Sequence, residues 1–170
     1  MRLIRLCLVL ALALGSVGLA LPAHAATDTW RAQLSGANEL PANDSLARGL
    51  AVFRLSSDGT AITYRLQVAN IDNVTAAHIH LGSSQVNGPV AVRLFGDVPP
   101  GGGPVNGTLA TGTITASDLI GPLAGQPLHA LVDHLESGNT YVNVHTNDGV
   151  DPVNTGPGDL PGGEIRGQLD

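Results

Sequence analysis

The chain is 170 residues long, with eight arginines, no lysine and fourteen acidic residues, giving a net charge of −6. An acidic surface without lysine argues against a nucleic-acid partner, whose phosphates require a basic face. Twenty-two glycines, eleven prolines and only two phenylalanines favour short strands joined by tight turns over a helical bundle.

Residues 1–25 read as an export leader. Arg2 and Arg5 precede an almost wholly apolar run, Leu6 to Leu21, and Ala23-His24-Ala25 supplies a small-x-small cleavage pattern. The run falls short of the ~20 residues that cross a bilayer comfortably, so no transmembrane anchor is expected after cleavage. What remains is one domain, residues 26–170, with six arginines against fourteen acidic residues and enough length for a real core. The sole cysteine, Cys7, lies in the leader, so the exported domain is expected to fold without a disulfide. The expected location is the periplasm or the cell exterior.

In chain order, Trp30, Ala32 and Leu34 alternate with Arg31 and Gln33 as a first strand. After the loop ANELPAND, residues 49–56 and 60–69 form the clearest hairpin, turned at Ser57-Asp58-Gly59. VTAAHIHL, Val74 to Leu81, follows as a strand. Asn87-Gly88-Pro89 is a turn, Val90, Val92 and Leu94 mark the next strand, and residues 96–107 read as a Gly/Pro loop. Leu109 to Thr115 resumes as a strand, and SDLIGPL reads as one helical turn behind a Ser or Thr cap. Leu128, Leu131, Val132 and Leu135 then fall at helical spacing between Pro127 and Gly138. YVNVHT, Tyr141 to Thr146, is a strand, residues 147–162 an acidic turn-rich loop, and residues 164–169 the last strand. Many half-buried strands with one short helical crossover predict an all-β antiparallel sandwich.

Alternation places His78 and His80 on one strand face, opposite Ala77, Ile79 and Leu81, and places Tyr141, Asn143 and His145 together on one face of the later strand. Imidazoles on rigid strands suit copper or zinc, which makes His78, His80 and His145 the candidate metal ligands provided the two strands are neighbours. The plainer reading is that these rings hydrogen-bond to backbone, Asn143 or Tyr141 and hold the strands. Asp148, Asp151, Asn154 and Asp159 offer calcium-type oxygens in the 147–162 loop, but without the ligand order of a calcium loop. Glu164 and Arg166 share a face and are placed to pair with each other, and Glu39 is a weaker candidate for the same edge. No nucleophile with a base and no phosphate-cradling loop is legible, so catalytic activity is not expected.

AQLSGANELP, SSDGTAITYRLQVANIDNVTAAHIHLG, GTITASDLIGPLAG, SGNTYVNVHT and the terminal PGGEIRGQL together resemble the CHRD domain, the module first named in chordin and common in exported bacterial proteins. The resemblance covers essentially all of the chain after the leader. It implies an immunoglobulin-like β-sandwich in an extracytoplasmic setting. The expected role is a binding or structural module, with a metal ion or an extracellular protein as its partner. NDGVDPVNTGPGDL departs from the family's compact join between the last histidine strand and PGGEIRG, and gives that edge a different neighbour. The His-x-His spacing is also locally similar to copper/zinc superoxide dismutases. A dismutase would need a fourth nitrogen ligand and a bridging histidine, whereas His129 and His134 fall on the predicted helix.

Overall fold

A computed structural model describes residues 28–170; the leader, its cleavage pattern and Cys7 lie outside the described residues. Eight strands form in the order β1 Thr29–Ser35, β2 Arg48–Leu55, β3 Ile62–Asp72, β4 Val74–Leu81, β5 Val90–Phe95, β6 Pro104–Ile114, β7 Thr140–Thr146 and β8 Ile165–Gln168. Two single 3-10 turns, Ala116–Asp118 and Gly121–Leu123, and one α-helix, α1 (His129–Glu136), lie between β6 and β7. Its Leu131 and Leu135 are fully buried in the core, with Leu128 joining them from just ahead of the helix. Gly138 closes it in the left-handed region at φ 64°, as a C-terminal glycine cap does.

The immunoglobulin-like β-sandwich expected from the sequence does not form. All eight strands belong to one antiparallel sheet, ordered β5-β4-β7-β8-β1-β2-β3-β6, which curls into a nearly closed barrel. The seam lies between β5 and β6. Tyr64 on β3 crosses it and donates its hydroxyl to the Leu94 carbonyl at 2.7 Å, and Ile120, just after β6, donates its N–H to the Ala91 carbonyl at 2.9 Å. The physical reason for the difference is that alternation reports one buried face per strand. A sheet that twists round onto itself satisfies that pattern as well as two stacked sheets do, and leaves fewer open edges.

The barrel interior holds Trp30, Leu34, Phe53, Leu66, Ile79, Val142 and Ile165, all buried. Burying a side chain of this size contributes about 1.5–3 kcal/mol, so a single apolar interior supports the described residues, among which there is no cysteine. The strand expected to begin at Leu109 begins instead at Pro104, inside the Gly/Pro stretch. A proline at the first position of an edge strand costs no ladder hydrogen bond. Three loops, residues 36–47, 82–89 and 147–164, fold back over the outside of β4, β7 and β8. Asn87 Nδ2 bonds the Leu40 carbonyl, Asn43 Nδ2 the Glu164 carbonyl and Asn38 Nδ2 the Arg166 carbonyl, stitching this roof to the wall.

Candidate metal centre

β4 and β7 are neighbours. In their antiparallel register His78 lies opposite Asn143, His80 opposite Tyr141 and Ala76 opposite His145, with an irregularity between Val74 and Ala76. Ala77, Ile79, Val142 and Val144 point into the core, so the histidines are forced onto the outer face. His145 sits one pair beyond His78 and reaches it diagonally: His78 Nδ1 and His145 Nε2 are 3.2 Å apart. The ring centres of His78 and His80 are 5.7 Å apart, and those of His80 and His145 are 6.1 Å apart. One nitrogen from each ring lies within 4.8 Å of the other two.

Two of the rings are oriented by main-chain carbonyls. His145 Nδ1 is 2.9 Å from the Pro161 oxygen, and His80 Nδ1 is 2.9 Å from the Gly88 oxygen. A carbonyl only accepts, so both Nδ1 atoms carry the proton and both Nε2 atoms present a lone pair. His145 Nε2 then accepts from His78 Nδ1, while His80 Nε2 is buried with no hydrogen-bond partner. Loss of hydration lowers the pKa of all three rings. It carries His78 to about 4, helped by the neighbouring His145 and His80; at His80 and His145 the carbonyl bonds to Gly88 and Pro161 oppose the shift. Near neutral pH the cluster is therefore uncharged, the state in which imidazole ligates metal.

His80 has further support. Tyr141 stacks on it at 4.9 Å between ring centres, and the Arg166 guanidinium carbon lies 3.4 Å from the centre of the Tyr141 ring. The Tyr141 hydroxyl accepts the Gly88 N–H at 3.0 Å, on the residue whose carbonyl holds His80. Gly88 must be glycine for this approach, since a Cβ there would stand 1.6 Å from the Leu81 carbonyl oxygen. Arg166 is buried and donates to neutral oxygens: Asn87 Oδ1 at 3.0 Å, and the Ser83 and Val86 carbonyls at 2.8 Å.

The structure thus brings His78, His80 and His145 together. Other expected pairings separate. Glu164 and Arg166 share the face but do not pair: Glu164 accepts the Ser45 hydroxyl at 2.6 Å, the Thr146 hydroxyl at 2.7 Å and the Gly158 N–H at 2.8 Å. Glu39 is buried near Arg166, whose charge lowers its pKa. Burial outweighs that attraction and carries the carboxyl up to about 7. In the acidic loop Asp159 Oδ2 accepts the Thr155 N–H and hydroxyl and Asp148 Oδ1 accepts the Val150 N–H, while Asp159 Oδ1 is buried without a partner. His129 is exposed on α1, and His134 bonds Asn139 at 3.0 Å. Sequence reasoning missed the roles of Gly88 and Pro161, because a backbone carbonyl leaves no signature in residue type. The shared phase of Tyr141 and His145 was the only available pointer to the Tyr141 stack.

An eight-stranded barrel whose outer wall carries a roofed histidine cluster defines a single all-β module built around that wall. The CHRD domain model matches residues 30–169, and the chain belongs to the CHRD domain family. No curated protein matches the chain. Among the described residues no helix is long and apolar enough to cross a membrane.

Proposed function

We propose that this CHRD module works outside the cytoplasm as a metal-binding protein, holding one copper or zinc ion through His78, His80 and His145. The observation that carries the reading is the convergence of three neutral imidazole nitrogens within 4.8 Å, one from each of three rings. The 3.2 Å separation of His78 Nδ1 and His145 Nε2 is close to the roughly 3.3–3.5 Å between adjacent ligands set by metal–nitrogen bonds of about 2.0–2.1 Å, so a metal can take the place of their shared proton once His78 shifts to the tautomer protonated at Nε2. Two of the ligand rings also hold their second nitrogen on a carbonyl, an arrangement typical of ligating histidine. The leader-like residues 1–25 support export to the periplasm or beyond.

Titration of the purified protein with Cu(II) and Zn(II) tests the metal reading. One tight equivalent of at least one of them is expected, and replacing His78 and His80 together by alanine should weaken it by about 100-fold or more. Binding that survives the double replacement would place the metal elsewhere and sink the proposal.

A further inference from the structure

We propose that the histidine cluster selects the monovalent cuprous ion over divalent zinc or copper. The proposal rests on the metal-binding reading above and goes further by naming the charge of the ion. Three observations converge on it.

The first is the donor set. Among the described histidine, cysteine, aspartate and glutamate side chains, the cluster comprises three imidazoles, all neutral donors. An ion held there keeps its whole formal charge in a half-buried site, and the solvation cost of that charge rises with its square. A divalent ion is thus penalised about four times as heavily as a monovalent one. Zinc held by three histidines takes a water in its fourth position, whereas a cuprous ion accepts three-coordination without one.

The second is what stands behind the ligands. Metal-bound histidines often pass their other N–H to a carboxylate, which lends negative charge to the metal. Here the acceptors are the Gly88 and Pro161 carbonyls, which orient the rings but supply no charge.

The third is Arg166. Its guanidinium caps the Tyr141 ring that in turn stacks on His80, and it is held by neutral oxygens. This is a fixed cation two layers behind a ligand, and its repulsion of a bound ion is proportional to that ion's charge. Among the described residues no carboxylate lies within ion-pair distance of the Arg166 guanidinium. On the His78 side the exposed Asp97 carboxylate is paired with Arg93.

The experiment is a set of competition titrations on the purified protein: Cu(I) against bicinchoninate without oxygen, and Zn(II) and Cu(II) against nitrilotriacetate. Cu(I) is expected to bind one equivalent about 100-fold more tightly than either divalent ion. The variant R166Q should narrow that gap by roughly tenfold, entirely through tighter divalent binding. Because Arg166 is buried, R93Q serves as a second probe. Arg93 is 61% exposed, and its replacement should leave the fold intact, free the Asp97 carboxylate and narrow the gap by a few fold. Divalent binding as tight as Cu(I), abolished by the double histidine replacement, would overturn the selectivity and leave the metal centre standing. Failure of all three ions to bind at the cluster would overturn both.

Discussion

The two halves of the barrel wall are alike inside and unlike outside. On β1, β2 and β3 the outward residues Arg31, Gln33, Arg54, Thr63 and Arg65 are exposed, as alternation predicts for a half-solvated sheet. On β7 and β8 the outward residues Tyr141, Asn143 and Arg166 are buried, and on β4 so is His80. The first half therefore has one apolar interface to satisfy. The second has an apolar interior and a polar exterior sealed beneath loops, where every donor and acceptor needs a partner. Most find one, and those that do not include His80 Nε2, beside the histidine cluster, and Glu39 Oε1. Chemistry gathers where a sheet has been forced to bury the face that usually meets water.

The largest test of this contrast is the removal of Glu164. Glu164→Ala would strand the Ser45 and Thr146 hydroxyls and the Gly158 N–H, three buried donors from three parts of the roofed wall. Leaving such groups unpaired costs about 1–3 kcal/mol each, and partial collapse of the site makes a total loss of about 4 kcal/mol the expected result in urea unfolding. A loss below about 1 kcal/mol would mean that the roof is not coupled to the wall.

Next in size is Glu39, where the sign depends on pH. Its pKa of about 7 in the folded protein stands above the ordinary value of 4.5, so between those two values the folded state binds the proton more tightly than the unfolded chain. The contribution of Glu39 to stability is accordingly fully present below about pH 4.5, is lost as pH rises through the window, and is absent above about pH 7. At 1.36 kcal/mol per pKa unit the full effect is about 3 kcal/mol. Glu39→Gln should raise stability by up to that amount at pH 8 and change it little at pH 4. Wild-type and variant curves that run parallel across the window would show that Glu39 titrates normally.

How much of this was legible follows from the same contrast. The phase of VTAAHIHL and YVNVHT was readable because Ala77, Ile79, Val142 and Val144 fix which face goes inward, and β4 spans the expected Val74–Leu81. Whether the two strands touch was not readable, since about sixty residues separate them and alternation carries no information on neighbours. The barrel was missed for a related reason: Ala51, Phe53, Ile62 and Leu66 alternate identically in a sandwich and in a closed sheet. The burial of Glu164 and Arg166 was hidden because charged residues on a strand's polar face read as solvent-facing. Only the folded roof, with Asn43 and Asn87 tying it down, makes them interior. The family resemblance agrees with the domain model that matches residues 30–169 and supplied the wrong architecture.

The smallest expected effect sharpens the comparison from the other side. Arg65 projects from the open half of the wall, where its guanidinium donates to the Thr108 hydroxyl at 2.7 Å in full contact with solvent. In water that bond is exchanged for others of similar strength, and ordering a long side chain to make it carries an entropic cost. Arg65→Ala should therefore change stability by less than about 0.5 kcal/mol. Arg166, the same residue type on the roofed half, makes three hydrogen bonds and a ring contact with no water to replace them. A loss at Arg65 as large as that of a buried polar group would show that the open half is also covered, either by a loop that closes over it in solution or by a second molecule. The division of the barrel wall into an open half and a roofed half would then fail.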